Sequence, residues 1–170
     1  VLRAVRAKKK VCFLHCNFLN YGGNTKYNRE ILKKFNKIAV VSNSVGKRLL
    51  TAVPSLEDKV YTVHNCVNFC EIERLKDEYE PKIKSKGISL FTASRISAEK
   101  GILRMFPIFE NIRKNGINFT WYIAGDGAQK AEAETLCEKC GLAESVVFLG
   151  NLTNPYPYFY KTDIVLVPSY

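Results

Sequence analysis

"ISLFTASRISAEKGILRMFPIFENIRKNGINFTWYIAG", residues 88–125, decides the fold. It opens on a β-branched and aromatic run, passes through a charged turn, resumes with apolar residues at helical spacing from Ile102, and closes on the apolar run "NFTWYIAG". A strand, a helix and a second strand in this order form a βαβ unit, whose two strands are parallel because the helix carries the chain back to its starting edge. Pro107 predicts either a kink or the point where the regular helix begins. Gly116 stands where a helix end favours a residue with positive φ.

The same alternation extends both ways. Upstream, "KVCFLH" (10–15) reads as a strand, "KYNREILKKF" (26–35) as a helix with Tyr27, Ile31, Leu32 and Phe35 on one face, and "KIAVVS" (37–42) as a strand. Ser42 or Asn43 caps the next helix, which carries Val45, Leu49 and Leu50, and "KVYTVHN" (59–65) is a further strand. Downstream come a helix in "QKAEAETLCEKCG" ending at Gly141, the strand "SVVFLG", a helical turn in "PYPYFYKT" and the strand "DIVLVPS". Between the halves, "EIERLKDEYEPKIKSKG" (71–87) is charged and broken by Pro81. The fold class is therefore α/β: tandem Rossmann-like parallel-sheet units with both sheet faces covered, and both units incomplete. The expected division is residues 1–68, a linker at 69–86, and residues 87–170.

Composition agrees with a folded α/β chain, 46% hydrophobic and 25% charged. The formal net charge of +10 is unevenly placed. Up to Arg48 there are twelve Lys or Arg against one acid, Glu30, and "VLRAVRAKKK" alone carries five cations. Such a block suits an anionic membrane face or nucleic acid, or it is simply a solvated end. The chain starts on Val and stops at Tyr170 as a strand ends, so it reads as a fragment of a longer protein. No apolar run reaches the roughly 20 residues that span a bilayer. The six cysteines make a poor metal set: Cys12 and Cys16 lie about 13 Å apart along a strand. A lone C-x-x-C at Cys137 and Cys140, with no second pair, is a weak zinc signal.

Chemistry gathers beyond the carboxyl ends of parallel strands. Arg95 and Lys100 fall there, between the strand ending at Ser94 and a helix expected to open after Gly101. A guanidinium fork and a mobile ammonium together suit a diphosphate, or they are surface decoration. The next strand ends in "AGDG" (124–127), which lacks the third glycine of a dinucleotide fingerprint. It permits close approach of a ligand, or is a tight turn capped by Asp126.

Taken together, "VVSNSV", "KVYTVHNCVN", "SRISAEKG", "WYIAGDG", "VVFLGNL" and "TDIVLVPS", in that order, resemble family 4 glycosyltransferases of the GT-B fold across nearly the whole chain from Lys10. The resemblance implies retaining transfer of a sugar from a nucleotide diphosphate to an acceptor hydroxyl, in bacterial capsular, exopolysaccharide or lipopolysaccharide synthesis. It makes residues 1–68 part of the acceptor-side domain and residues 87–170 part of the donor domain. Arg95 and Lys100 would hold the donor diphosphate, Gly125 and Gly127 would line the donor pocket, and Leu152 would meet the nucleobase through its backbone. His15, in "KKVCFLHCNF", matches a family histidine that faces the cleft, or is a strand-end histidine satisfied by backbone. The implied partners are a nucleotide-sugar donor and a glycan or lipid-linked acceptor, with no resident cofactor and no metal. The implied location is cytoplasmic, with an optional peripheral contact to the inner membrane face. The family's acidic motif after the P-S step and its early Gly-rich loop are missing, so these residues alone are expected to be inactive.

Two other readings stand beside it. One keeps the fold but makes the chain a sugar-nucleotide epimerase or a phosphorylase. The other is a nucleic-acid-binding α/β module using the basic N-terminal stretch with Phe13, Phe18, Tyr21 and Tyr27.

Overall fold

The computed structural model describes residues 6–16 and 24–169. Phe18, Tyr21, Tyr170 and the first half of the basic N-terminal block lie outside the described residues. The chain divides into two compact units, 1–67 and 68–170.

In the first unit, β1 (Val11–Leu14), β2 (Lys37–Val40) and β3 (Val60–Thr62) form a parallel sheet in that order. α1 (Lys26–Lys33) starts at Thr25, whose hydroxyl accepts from Asn28 N. α2 (Asn43–Ala52) starts at Ser42, whose hydroxyl accepts from Val45 N and satisfies a first-turn donor that the helix itself leaves open. Leu32, Ile38, Val40, Leu49, Val53 and Leu56 form the core on one side of the sheet. The expectation that both faces are covered does not hold for this sheet among the described residues: Val11, Phe13, Tyr61 and Val63 are exposed on it. Tyr27, expected on the packed face of α1, is also exposed, because it sits in the first turn, ahead of the buried Leu32.

The second unit starts with α3 (Phe69–Leu75) and builds a four-stranded parallel sheet from β4 (Ile88–Ala93), β5 (Phe119–Ala124), β6 (Val146–Gly150) and β7 (Ile164–Val165). The order is β6-β5-β4-β7, so the chain runs outward from β4 to β6 and then returns to the other side of β4. Every residue of β5 is buried, which is why that strand reads as a continuous apolar run rather than an alternation. α4 (Met105–Lys114) and α5 (Lys130–Lys139) supply Phe106, Phe109, Ala133 and Cys137 to one face, packed with Leu90, Trp121 and Ile123. α6 (Tyr156–Lys161) supplies Tyr158 to the other, packed with Phe91, Tyr122 and Ala124.

The helix expected to open directly after Gly101 differs. A 3-10 turn, Ala98–Lys100, closes first, and α4 begins at Met105. Pro107 therefore falls in the first turn of α4, where no intrahelical N–H is required of it. Gly116 and Gly141 follow α4 and α5 with φ of 80° and 64°. The segment between α3 and β4 is laced onto the second unit. Tyr79 donates to Asn154 O at 2.6 Å, Asn154 Nδ2 donates to Leu75 O and Glu78 Oε2, and Lys84 N donates to the Tyr122 hydroxyl. At the amino edge of the sheet, Asp163 accepts from both Ser89 N and Ser89 Oγ, which seats β7 beside β4. Those donors hold the Asp163 carboxyl below its ordinary range.

Candidate active site

Three successive loops at the carboxyl edge of the second sheet enclose a cavity of about 210 Å³. After β4 come Ser94 and Arg95, after β5 Gly125 and Asp126, and after β6 Asn151 and Leu152; Pro155, at the start of α6, closes one side. The β5–β6 register slips between Ile123 and Ala124, so the irregularity lies directly beneath the site.

Backbone hydrogen bonds fix these loops to one another. Ser94 N donates to Ala124 O at 3.0 Å, Ile96 N to Asp126 O at 2.9 Å, Gln129 N to Ile96 O at 3.0 Å and Gly125 N to Gly150 O at 2.7 Å. Such proximity leaves no room for side chains. A Cβ on Gly125, at φ 140°, would lie 1.9 Å from Ser94 O, and one on Gly127 would lie 2.4 Å from Ile96 O. The two glycines thus have a reason to be glycine before any ligand arrives: they let one loop rest against the next. Gly101 plays the same part where the loop after β4 meets the end of the chain, its Cβ position lying 2.3 Å from Pro168 O.

Of the residues singled out in the sequence, Arg95, Gly125 and Leu152 share the cavity wall. Lys100 and Gly127 belong to the same loops but do not line it. Lys100 ends the 3-10 turn, half-buried, with its N–H on Ser97 O. His15 follows β1 in the first unit, exposed, its ring stacked on Phe13 at 4.5 Å. Ser94, Asn151 and Pro155 were not anticipated. Their common signal is position, since each lies just past a strand end or at the helix start that follows one.

The site's charges are arranged in pairs. Arg95 Nη2 donates to Glu99 Oε1 at 3.1 Å, with the arginine side chain 75% exposed. Asp126 turns one carboxylate oxygen to Gly127 N at 2.7 Å and pairs the other with Lys130 at 3.3 Å. The Gly127 N–H, and after it Lys130, hold its carboxyl below the ordinary range. That carboxylate is ionised at neutral pH, but its charge is directed along its own turn. Among the described residues no group of three or more His, Cys, Asp or Glu could hold a metal ion. All six cysteines are free, and burial pushes the Cys137 thiol up to about 11, which leaves it protonated.

The two units, each a parallel-sheet α/β layer, match the fold of GT-B structures. The profile of the family "Glycosyl transferases group 1" matches residues 73–170, and the chain belongs to that family. It is 28% identical over 143 residues to an uncharacterized glycosyltransferase of Methanocaldococcus jannaschii, covering 78% of this chain and 36% of that protein. It is 32% identical over 101 residues to the 2-deoxystreptamine glucosyltransferase of Streptomyces kanamyceticus, covering 58% and 26% respectively. A mutant of S. aureus TarM, crystallised with fondaparinux, alpha-GlcNAc-glycerol and UDP, superposes with a TM-score of 0.71 at 20% identity, over 99% of this chain and 34% of that one. The chain thus spans between about a quarter and just over a third of the length of these proteins.

Proposed function

We propose that the cavity of the second unit receives the nucleoside diphosphate of a sugar donor, and that the whole protein is a retaining family 4 hexosyltransferase. The reading rests on one observation: Arg95, Gly125 and Leu152, drawn from three separate loops, stand together at the carboxyl edge of β4, β5 and β6. A parallel sheet directs its binding site to that edge, and an arginine there offers a planar fork to phosphate oxygens. The UDP held by TarM is of the ligand class the cavity would take.

In the proposed reaction the acceptor hydroxyl oxygen bonds to the anomeric carbon on the face the diphosphate leaves. The bond from that carbon to the β-phosphate oxygen breaks with its electron pair, and the acceptor proton passes to the departing phosphate. Negative charge grows on the β-phosphate as the bond opens. Fixed cations from Arg95, and from Lys100 on the same loop, stabilise that state more than the bound donor. Leu152 and Asn151 would border the nucleobase. His15 is assigned to the sugar on its motif alone. The acceptor is proposed to be a glycan or lipid-linked glycan of a bacterial surface polysaccharide, with the basic N-terminal segment resting on an anionic cytoplasmic membrane face.

Titration of UDP, GDP and ADP into the full-length protein, followed by turnover with the matching nucleotide sugars, tests this. Arg95→Ala and Lys100→Ala are each expected to lower kcat roughly 10²- to 10³-fold. Turnover within two-fold of wild type in both variants would overturn the assignment.

A further inference from the structure

The turn that carries Arg95 and Lys100 also carries an anion. Glu99 stands next to Lys100 in sequence and four residues after Arg95, and the 3-10 turn Ala98–Lys100 bends it back toward the guanidinium. Its Oε1 accepts from Arg95 Nη2 at 3.1 Å. Its carboxyl is held below the ordinary range, first through its own backbone N–H and then through Ser97, with Arg95 and Lys100 adding less. A full negative charge therefore lies in the combined field of the two cations assigned above to the donor phosphates.

Both partners are exposed, at 75% for the Arg95 side chain and 53% for that of Glu99. An ion pair of this kind is weak, and a doubly charged group that meets the guanidinium with two oxygens competes well against a single carboxylate contact. The pair is also local. Breaking it disturbs none of the backbone hydrogen bonds that hold the cavity loops together.

We propose that Glu99 is an internal stand-in for the donor's phosphate. With the site free it holds the Arg95 guanidinium at the cavity rim. A nucleoside diphosphate displaces it on binding, and it returns to Arg95 as the product nucleotide leaves. Glu99 is a positioning residue that acts through Arg95, and it weakens nucleotide affinity in exchange for easier product release. The inference rests on the donor-site reading above and adds a residue that lies outside the cavity wall.

The test is UDP binding to the full-length protein by calorimetry, with GDP or ADP in its place if one of those binds more tightly. Wild type is compared with Glu99→Gln, Arg95→Ala, the double variant and Glu110→Gln. The last removes a carboxylate from the exposed Glu110–Lys114 pair on α4, away from the cavity. Glu99→Gln is expected to tighten binding about two- to five-fold, the range over which exposed pairs act. The gain should shrink in the Arg95→Ala background, and Glu110→Gln should leave affinity unchanged. If Arg95→Ala weakens binding while Glu99→Gln leaves it unchanged or weaker, the stand-in role is wrong and the donor site survives. An equal gain from Glu110→Gln would reduce the effect to net charge and also overturn the role. If Arg95→Ala does not weaken binding, the donor-site reading fails and this inference falls with it.

Discussion

Gly125 and Gly116 both have positive φ, yet their surroundings make them unequal. Gly116 has nothing within 4 Å of its Cβ position, whereas at Gly125 the Ser94 carbonyl lies 1.9 Å away. A methyl group at residue 116 meets only the backbone penalty of the left-handed region, about 1 kcal/mol. At residue 125 it must also push apart two loops joined by Ser94 N to Ala124 O. Gly125→Ala is expected to cost about 2–4 kcal/mol, combining strain with overpacking. Urea denaturation of both variants checks the contrast, and equal losses would contradict it. Gly125→Ala should in addition lose nucleotide binding, because Ser94, Arg95 and Gly125 line one cavity. The sequence marked this glycine as a place for close approach. What approaches it, a neighbouring carbonyl, depends on a contact thirty-one residues away in the chain.

Among the elements, β4 pairs with β5 on one side and β7 on the other, and Thr92 joins both. Its hydroxyl donates to Leu166 O at 3.1 Å, just past β7, and accepts from the Trp121 indole N–H of β5 at 3.0 Å. Thr92 is 1% exposed and Trp121 fully buried, so water cannot replace either bond. Thr92→Val keeps the shape and the strand propensity but leaves a buried indole N–H and a carbonyl without that hydroxyl. The expected loss is about 1–3 kcal/mol for each unsatisfied group. Amide hydrogen exchange should show it as faster opening of β7, with β6 changed less. Element positions were largely legible, because β5 is buried throughout and the helices keep an apolar face at helical spacing. The start of α4 was not, since Ile102 and Leu103 are as apolar as the helix that follows while the chain still turns through them.

Over the whole molecule, charge and chemistry are separated. The excess of cations lies before Arg48, in and around the first unit, whereas the candidate donor cavity lies in the second. Among the described residues no helix is long and apolar enough to cross a membrane. The membrane contact proposed for the basic segment rests on its charge. Cosedimentation of the full-length protein with vesicles containing phosphatidylglycerol should exceed that with neutral vesicles and fall steeply as salt is raised. Equal binding to both would remove the proposal.

By itself the sequence determined the parallel α/β plan, the chain order of strands and helices, the charge asymmetry, and the two cations after β4. Each is written in local periodicity or in residue type, which survive without knowledge of distant contacts. Only the tertiary structure decided that Arg95, Gly125 and Leu152 share a wall that Lys100 and Gly127 do not. It also decided that Glu99 turns back on Arg95, and that one face of the first sheet stays open among the described residues. These are matters of which groups meet across long stretches of chain or around a tight turn, and spacing along a sequence does not fix distance in space.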